Sequence, residues 1–325
     1  MQSDSFLETL AADATALLAT EGIFSASELL NRRIEEIPCL LSPILPKVGL
    51  IGFAGSSDVG KSSFLRQLAI SVALGDSDFM GFRLKAEHRQ AIYVSSEDDE
   101  FAISFLLNKA NRNRQLSPER YEGLSFIFET ENLLQRLRSQ LSQHPADVVI
   151  IDCFSDLYGK SMNDSNQVRT FLNDYSQLAQ HYKCLVIFLH HTGKKTDDLL
   201  PSKHNLLGSQ GFEAKMRLVI ELRADRMMPD IRHLCIVKGN YLPRQYKTES
   251  FALRFDDNLC FTDTGERKPF SELIDTRQEL KEQVIAMKGT GLTQNEISAK
   301  LGISQATVSR YLKEEYSFIQ TPVNE

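Results

Sequence analysis

Gly55-Ser56-Ser57-Asp58-Val59-Gly60-Lys61-Ser62 fills every position of the phosphate-cradling pattern G-x-x-x-x-G-K-[ST]. Lys47-Val-Gly-Leu-Ile-Gly-Phe-Ala54 before it reads as a buried strand, and the apolar stretch from Ser62 through Ser63 and Phe64 to Leu74 reads as a helix. The glycines let the backbone curl so that successive N–H groups face an anion at the positive end of that helix. Lys61 is then placed to reach the β- and γ-phosphates, and the Ser62 hydroxyl to join a Mg²⁺ shell. The stretch predicts a site for ATP with Mg²⁺. The bland alternative, a Gly/Ser-rich turn that binds nothing, does not call for strand, loop, Lys-Ser and helix in this order.

The 325 residues allow one large domain with a small one, or two medium ones. A 42% hydrophobic content suffices for a full core, and a net charge of −6 argues against a chain coated in nucleic acid, although it leaves a local basic channel open. Cys39, Cys153, Cys184, Cys235 and Cys260 are dispersed without a C-x-x-C spacing and lie mostly in apolar runs. They read as reduced core residues of a cytoplasmic protein. The first residues carry no basic and then apolar signal pattern, and no apolar run is long enough to span a membrane.

Working outward, Phe6, Leu7, Leu10, Leu17 and Leu18 have helical spacing, as do Ala26, Leu29, Leu30 and Ile34. Residues 1–45 are therefore expected to be a helical N-terminal segment, with Pro38, Pro43 and Pro46 making an extended lead into the next strand. From 46 to 265, apolar runs at 47–54, 90–95, 124–128, 147–152, 184–190, 217–222 and 233–238 alternate with helical patterns at 61–75, 98–113, 131–142 and 167–182. That alternation predicts an α/β domain with a mostly parallel sheet. Residues 158–166 and 193–207 read as long loops. After about 265 the strand pattern stops and the chain is expected to be helical, with a separate small domain over 270–320.

Three strand ends carry chemistry. Val148-Val-Ile-Ile-Asp152 ends in an acid suited to the Mg²⁺ side of the site. Tyr93-Val-Ser-Ser-Glu97 ends in an acid able to polarise an attacking water, although the acids through Glu100 also suit a helix N-terminus. His190-His191-Thr192-Gly193 offers a sensor of the γ-phosphate or merely a solvated strand end. Adjacent histidines lack the spacing of a zinc pair.

The ordered set Gly55–Ser62, Ser96-Glu97-Asp98, Ile151-Asp152, His190-His191, Gly208-Ser209 to Arg217, and Lys238-Gly-Asn240-Tyr241 resembles the RepA-type hexameric replicative helicases, within the RecA/DnaB-like P-loop ATPases. The resemblance covers roughly residues 25–245 and implies a RecA-like core. It further implies Glu97 as hydrolytic base, Asp152 as Mg²⁺ support and His190 or His191 as the coupler of nucleotide to DNA. Arg217 becomes an arginine finger acting on a neighbour, and Lys238 a second cation reaching across. It also implies a homo-oligomer, a hexamer, in the service of plasmid or mobile-element replication. Single-stranded DNA would meet Lys194, Lys195, Lys203 and His204 of the 193–207 loop. A different class, an ATP-switched DNA-binding regulator or initiation scaffold without unwinding, fits the same motifs.

Leu292-Thr-Gln-Asn-Glu-Ile-Ser-Ala-Lys-Leu-Gly302-Ile-Ser-Gln-Ala-Thr-Val-Ser-Arg310-Tyr-Leu312 departs from that family and resembles a helix-turn-helix. Thr293 and Glu296 make a capping box, and Gly302 takes the turn. The second helix offers Ser304, Gln305, Thr307, Ser309, Arg310 and Lys313 to a duplex major groove, or to a protein partner.

Overall fold

A computed structural model of the chain describes residues 23–193, 196–208, 210–274 and 276–319. The expected helix around Phe6–Leu18 therefore lies outside the described residues. Helix α1 (Ala26–Asn31) is short and begins with a capping box in which the Ser25 hydroxyl accepts from Glu28 N–H. The proline-rich lead is more than a tether. Strands β1 (Cys39–Ser42) and β2 (Leu45–Pro46) pair antiparallel, and β1 pairs with β5 (Phe82–Leu84), itself joined to β4 (Asp78–Phe79), in a small sheet of their own.

The main sheet contains β3 (Gly49–Gly55), β6 (Ala91–Ser95), β7 (Leu124–Ile127), β8 (Val148–Asp152), β9 (Leu185–His191), β10 (Leu218–Ala224), β11 (Ile231–Gly239), β12 (Glu249–Phe255) and β13 (Phe261–Pro269). Their spatial order is β13-β12-β11-β10-β3-β9-β8-β6-β7. The strands from β10 to β7 run parallel, and β11, β12 and β13 extend the sheet antiparallel. The last strand ends at Pro269, close to the expected stop, but neither β12 nor β13 has a counterpart among the expected strands.

The central strands are buried on both faces, and their alternation sorts the side chains. Ile51, Phe53, Tyr93, Ile150, Ile187 and Leu189 enter one apolar layer, with α2 (Lys61–Leu74) and the small sheet packed against it. Leu50, Ile92, Val94, Val149, Ile151, Val186 and Phe188 enter the other layer. There they meet Leu133, Leu137 and Leu141 of α4 (Leu133–Gln143) and Val168, Leu172 and Tyr175 of α6 (Ser165–Tyr182). Those spacings of three and four put each set on one helix face, and each such side chain contributes roughly 1.5–3 kcal/mol by leaving water. After β6, α3 (Glu100–Asn111) starts at Asp99, whose carboxylate accepts from Ala102 N–H, and buries only Ile103. Helix α5 (Phe154–Tyr158) follows β8, and α7 (Gln210–Lys215) precedes β10.

The C-terminal segment forms α8 (Thr276–Gly289), α9 (Gln294–Leu301) and α10 (Gln305–Ile319). Thr293 caps α9 with both halves of its box to Glu296, and Gly302 ends α9 at φ 64°. The Ser298 hydroxyl donates to Ile303 O across the turn at 2.6 Å. Val284, Ile297, Val308, Tyr311 and Leu312 bury a core of their own. No helix among the described residues is long and apolar enough to cross a membrane.

Candidate functional site

The phosphate loop joins β3 to α2 and has no room for larger residues at its glycines. A Cβ on Gly55 would lie 2.5 Å from Leu222 O, and Gly60 sits at φ +95° with Phe261 and Phe255 rings closing over it. Lys61 is buried, and its ammonium donates to Ser56 O at 2.7 Å, so the loop carries its cation ready-placed. Burial lowers the Lys61 pKa, while the nearby charges of Asp152 and Glu97 work the other way. Arg232 on β11 donates to Val59 O at 3.1 Å and secures the far side of the loop.

Because β3, β6, β8 and β9 run parallel, their carboxyl ends meet on one edge of the sheet, where such folds bind ligands. A cleft of about 480 Å³ opens there, lined by Ser57, Asp58, Gly60, Lys61, Ser62 and Ser63 with Glu97 and His191 opposite. Asp152, paired in register with Ser95, is buried beside it. Tyr93 Oη donates to Asp152 Oδ2 at 2.6 Å. Oδ1 of the same carboxylate is buried without a hydrogen-bond partner. Burial pushes the Asp152 pKa up, and interactions with the Tyr93 and Ser62 hydroxyls oppose it. A buried, acceptor-only oxygen next to Ser62 and a phosphate loop is the donor set that Mg²⁺ takes. Ser96 ties the strand ends together: its N–H and hydroxyl both reach Asp152 O, and its oxygen accepts from Cys153 N–H.

The two histidines separate. His190 is fully buried, with Nε2 2.8 Å from Leu207 O and its ring against Phe212, and burial holds its pKa down at about 4. It does not line the cleft. His191 does, and burial, then the Lys61 charge, lowers its pKa, so both rings are neutral at pH 7. The loop after β9 is fastened back onto that strand end. Gly193 N–H donates to Asn205 O, Leu207 N–H to His191 O, and Thr192 bridges Leu206. Lys194 and Lys195 lie outside the described residues. Lys203 is placed at the loop's far side, where its ammonium pairs with Glu213 at 3.3 Å.

Arg217 is nowhere near its own phosphate loop. It precedes β10 and packs on Gly49, where a Cβ would lie 2.8 Å from Arg217 Cδ. Gly49 opens β3 and Gly55 closes it, so Arg217 sits about 20 Å from the loop at a strand rise of ~3.3 Å per residue. There Arg217 borders a second cleft with Glu35, Glu36, Asn240 and Tyr241. Lys238 donates to Glu213 O at 2.7 Å and pairs with the Glu213 carboxylate at 2.9 Å. Burial acts to raise the Glu213 pKa, but Lys238 and Lys203 together hold it below the usual range.

Residues 15–197, more than half of the chain, match the AAA domain family. The chain belongs to this family. Residues 288–314 of this AAA-domain protein match the winged helix-turn-helix DNA-binding family, which agrees with the geometry of α9 and α10. Among solved structures, an isolated ATPase domain is similar in fold, with a TM-score of 0.55 over 76% of this chain and 97% of that one, at 15% identity. No curated protein matches the chain.

Several residues that shape the AAA-domain site carry no mark in the sequence motifs. Tyr93 holds Asp152, and Arg232 with the stacked Phe255–Phe261 pair supports the loop from β11, β12 and β13. Glu221 and Arg223 on β10 are buried as a pair 3.3 Å apart. Glu221 accepts from Ser202 N–H and Asn205, while Arg223 donates to Leu199 O and Thr196 O, so both clamp the 196–205 segment. The available signal is two charges inside the apolar run Leu218–Ala224.

Proposed function

We propose that this protein hydrolyses ATP at the Lys61 cleft and uses the cycle to move DNA through an oligomeric ring, a hexamer by its RepA-type resemblance. One observation carries the reading: Lys61, Glu97, Asp152 and His191, far apart in sequence, come to the carboxyl edge of one parallel sheet. In this reading the loop N–H groups and Lys61 hold the phosphates. Ser62 and Asp152 Oδ1 would hold Mg²⁺, which would supply charge neutralisation to the phosphates. Glu97 is exposed on the cleft wall and takes a proton from the attacking water. Neutral His191 meets the γ-phosphate, and its backbone bond to Leu207 relays loss of that group to the loop bearing Lys203.

Arg217 and Lys238 act in trans. Arg217, about 20 Å from its own phosphate loop, serves a phosphate only on a neighbouring subunit, where it stabilises charge that develops in the transition state. In this reading the helix-turn-helix places Gln305, Thr307, Ser309, Arg310 and Lys313 against duplex DNA, and the protein is cytoplasmic and serves a plasmid or other mobile element.

That DNA-reading helix also favours a second account, a nucleotide-timed regulator that loads on one duplex site without separating strands. ATP turnover with single-stranded DNA, and strand separation on a forked duplex, decide between them. Stimulation with separation supports the motor. Stimulation by one duplex sequence without separation supports the regulator.

A further inference from the structure

At the cleft wall, where Glu97 and His191 face the buried Cys153, a set of side chains has a chemistry that ATP hydrolysis does not require. One ligand atom each from Glu97, Cys153 and His191 lies within 4.8 Å of the others. They come from three strand ends: Glu97 follows β6, Cys153 follows β8 and His191 closes β9. A phosphate-loop hydrolase needs an acid and a polar sensor here; a thiol beside them serves neither role. The Cys153 thiol is buried, with Sγ 2.9 Å from Ser155 Oγ. His191 faces the cleft opposite the phosphate loop and has an imidazole nitrogen to offer a metal.

We propose that Glu97, Cys153 and His191 form a site for a borderline-soft divalent cation of the Zn²⁺ class, distinct from the Mg²⁺ site at Ser62 and Asp152. A carboxylate oxygen, a thiolate and an imidazole nitrogen are the three donor types that Zn²⁺ accepts, and ligand separations within 4.8 Å close onto one ion with small side-chain movements. Mg²⁺ takes oxygen donors and has no use for the sulfur. On binding, the Cys153 S–H proton leaves to solvent and the sulfur coordinates as thiolate. Three protein ligands leave one position open toward the cleft for water or a phosphate oxygen. The site's existence is independent of the ATPase reading. Its consequence rests on that reading: an ion on Glu97 removes the base, so occupancy stops turnover.

Co²⁺, titrated into the full chain without nucleotide and followed by absorption, reads the site directly. One equivalent should produce a thiolate-to-cobalt charge-transfer band in the near ultraviolet together with visible bands of tetrahedral cobalt, and Zn²⁺ should bleach both. Cys153→Ser should lose the charge-transfer band, although Cys39, Cys184, Cys235 and Cys260 remain. His191→Ala should keep the band and weaken Co²⁺ by more than the about 10–100-fold typical of losing a group that only hydrogen-bonds to a ligand. The absence of a thiolate band in the native protein, or a band unchanged in Cys153→Ser, overturns the proposal. Should Cys153→Ser fail to fold, an unaltered Co²⁺ affinity in His191→Ala overturns it equally. A cobalt site in a protein that never turns over ATP sinks the hydrolytic reading and leaves the metal site standing.

Discussion

Tyr93 donates its hydroxyl to Oδ2 of Asp152 at 2.6 Å, while Oδ1 of the same carboxylate is buried and unpaired. One oxygen is thereby fixed by the protein, and the other is the one we propose for Mg²⁺. The arrangement is unfavourable for the empty protein, because a buried carboxylate lacking a partner on one oxygen loses its hydration.

The sign of that cost is testable. The Asp152 pKa is raised above its unfolded value by burial, so its contribution to stability is most favourable at low pH, where the group is protonated. Stability is lost as pH rises from the unfolded pKa through the folded one. Asp152→Asn should therefore raise the nucleotide-free melting temperature at pH 7. It should also abolish Mg²⁺-dependent tightening of nucleotide binding. Calorimetric melting with and without Mg-ATP checks both halves.

Variants at Lys61 and Glu97 test whether binding and chemistry separate as proposed. Lys61→Ala removes the cation that the loop holds against Ser56 O and should abolish tight ATP binding without unfolding the chain. Glu97→Gln keeps shape and should bind ATP normally while turnover falls by about 10²–10⁴, the range for a lost general base. Equilibrium titration and single-turnover assays check the pair. Near-native turnover in Glu97→Gln would place the base elsewhere.

Arg223 tests the clamp on the loop after β9. Arg223→Met removes the donors to Leu199 O and Thr196 O and leaves Glu221 buried beside a neutral side chain. The expected cost is about 3–5 kcal/mol, as for other broken buried pairs, with new proteolytic cleavage within 196–207. Denaturant titration and limited proteolysis give the two readouts.

Arg310 tests the C-terminal module. Ending the chain before residue 275 leaves β13 intact, so basal ATP turnover should survive while duplex binding weakens. Arg310→Ala alone should cost about 1–3 kcal/mol of duplex affinity if it reads a base edge. Undiminished duplex binding by the truncated chain would make the module a protein-docking element.

Much of this architecture is legible because the parallel strands are buried on both faces and therefore read as unbroken apolar runs, such as Val148–Asp152. The edge strands are not. Phe261-Thr-Asp-Thr-Gly-Glu-Arg-Lys-Pro269 is polar because much of it faces solvent, so nothing in it marks a strand until β12 is there to pair with it. Pro43 and Pro46 hide β1 and β2 for a similar reason, since prolines suggest an extended tether more readily than a sheet edge. In the site, Lys61, Ser62, Glu97, Asp152 and His191 announce themselves by closing or following strands. Tyr93 does not, because its contact depends on the β6–β8 register that sets Ser95 opposite Asp152. The partition between His190 and His191 also needs the structure: strand alternation sends one inward against Phe212 and the other to the cleft.

If hydrolysis happens between subunits, as proposed, mixing two inactive variants should restore it. Arg217→Ala subunits keep an intact phosphate loop, and Lys61→Ala subunits keep an intact Arg217. Each alone should hydrolyse ATP poorly, with Arg217→Ala down by as much as the about 10³–10⁵ that such fingers supply elsewhere. In oligomers shown by mass to contain both, ATP turnover should recover in proportion to the interfaces that pair the two intact halves. No recovery at any mixing ratio in such mixed oligomers would contradict the claim.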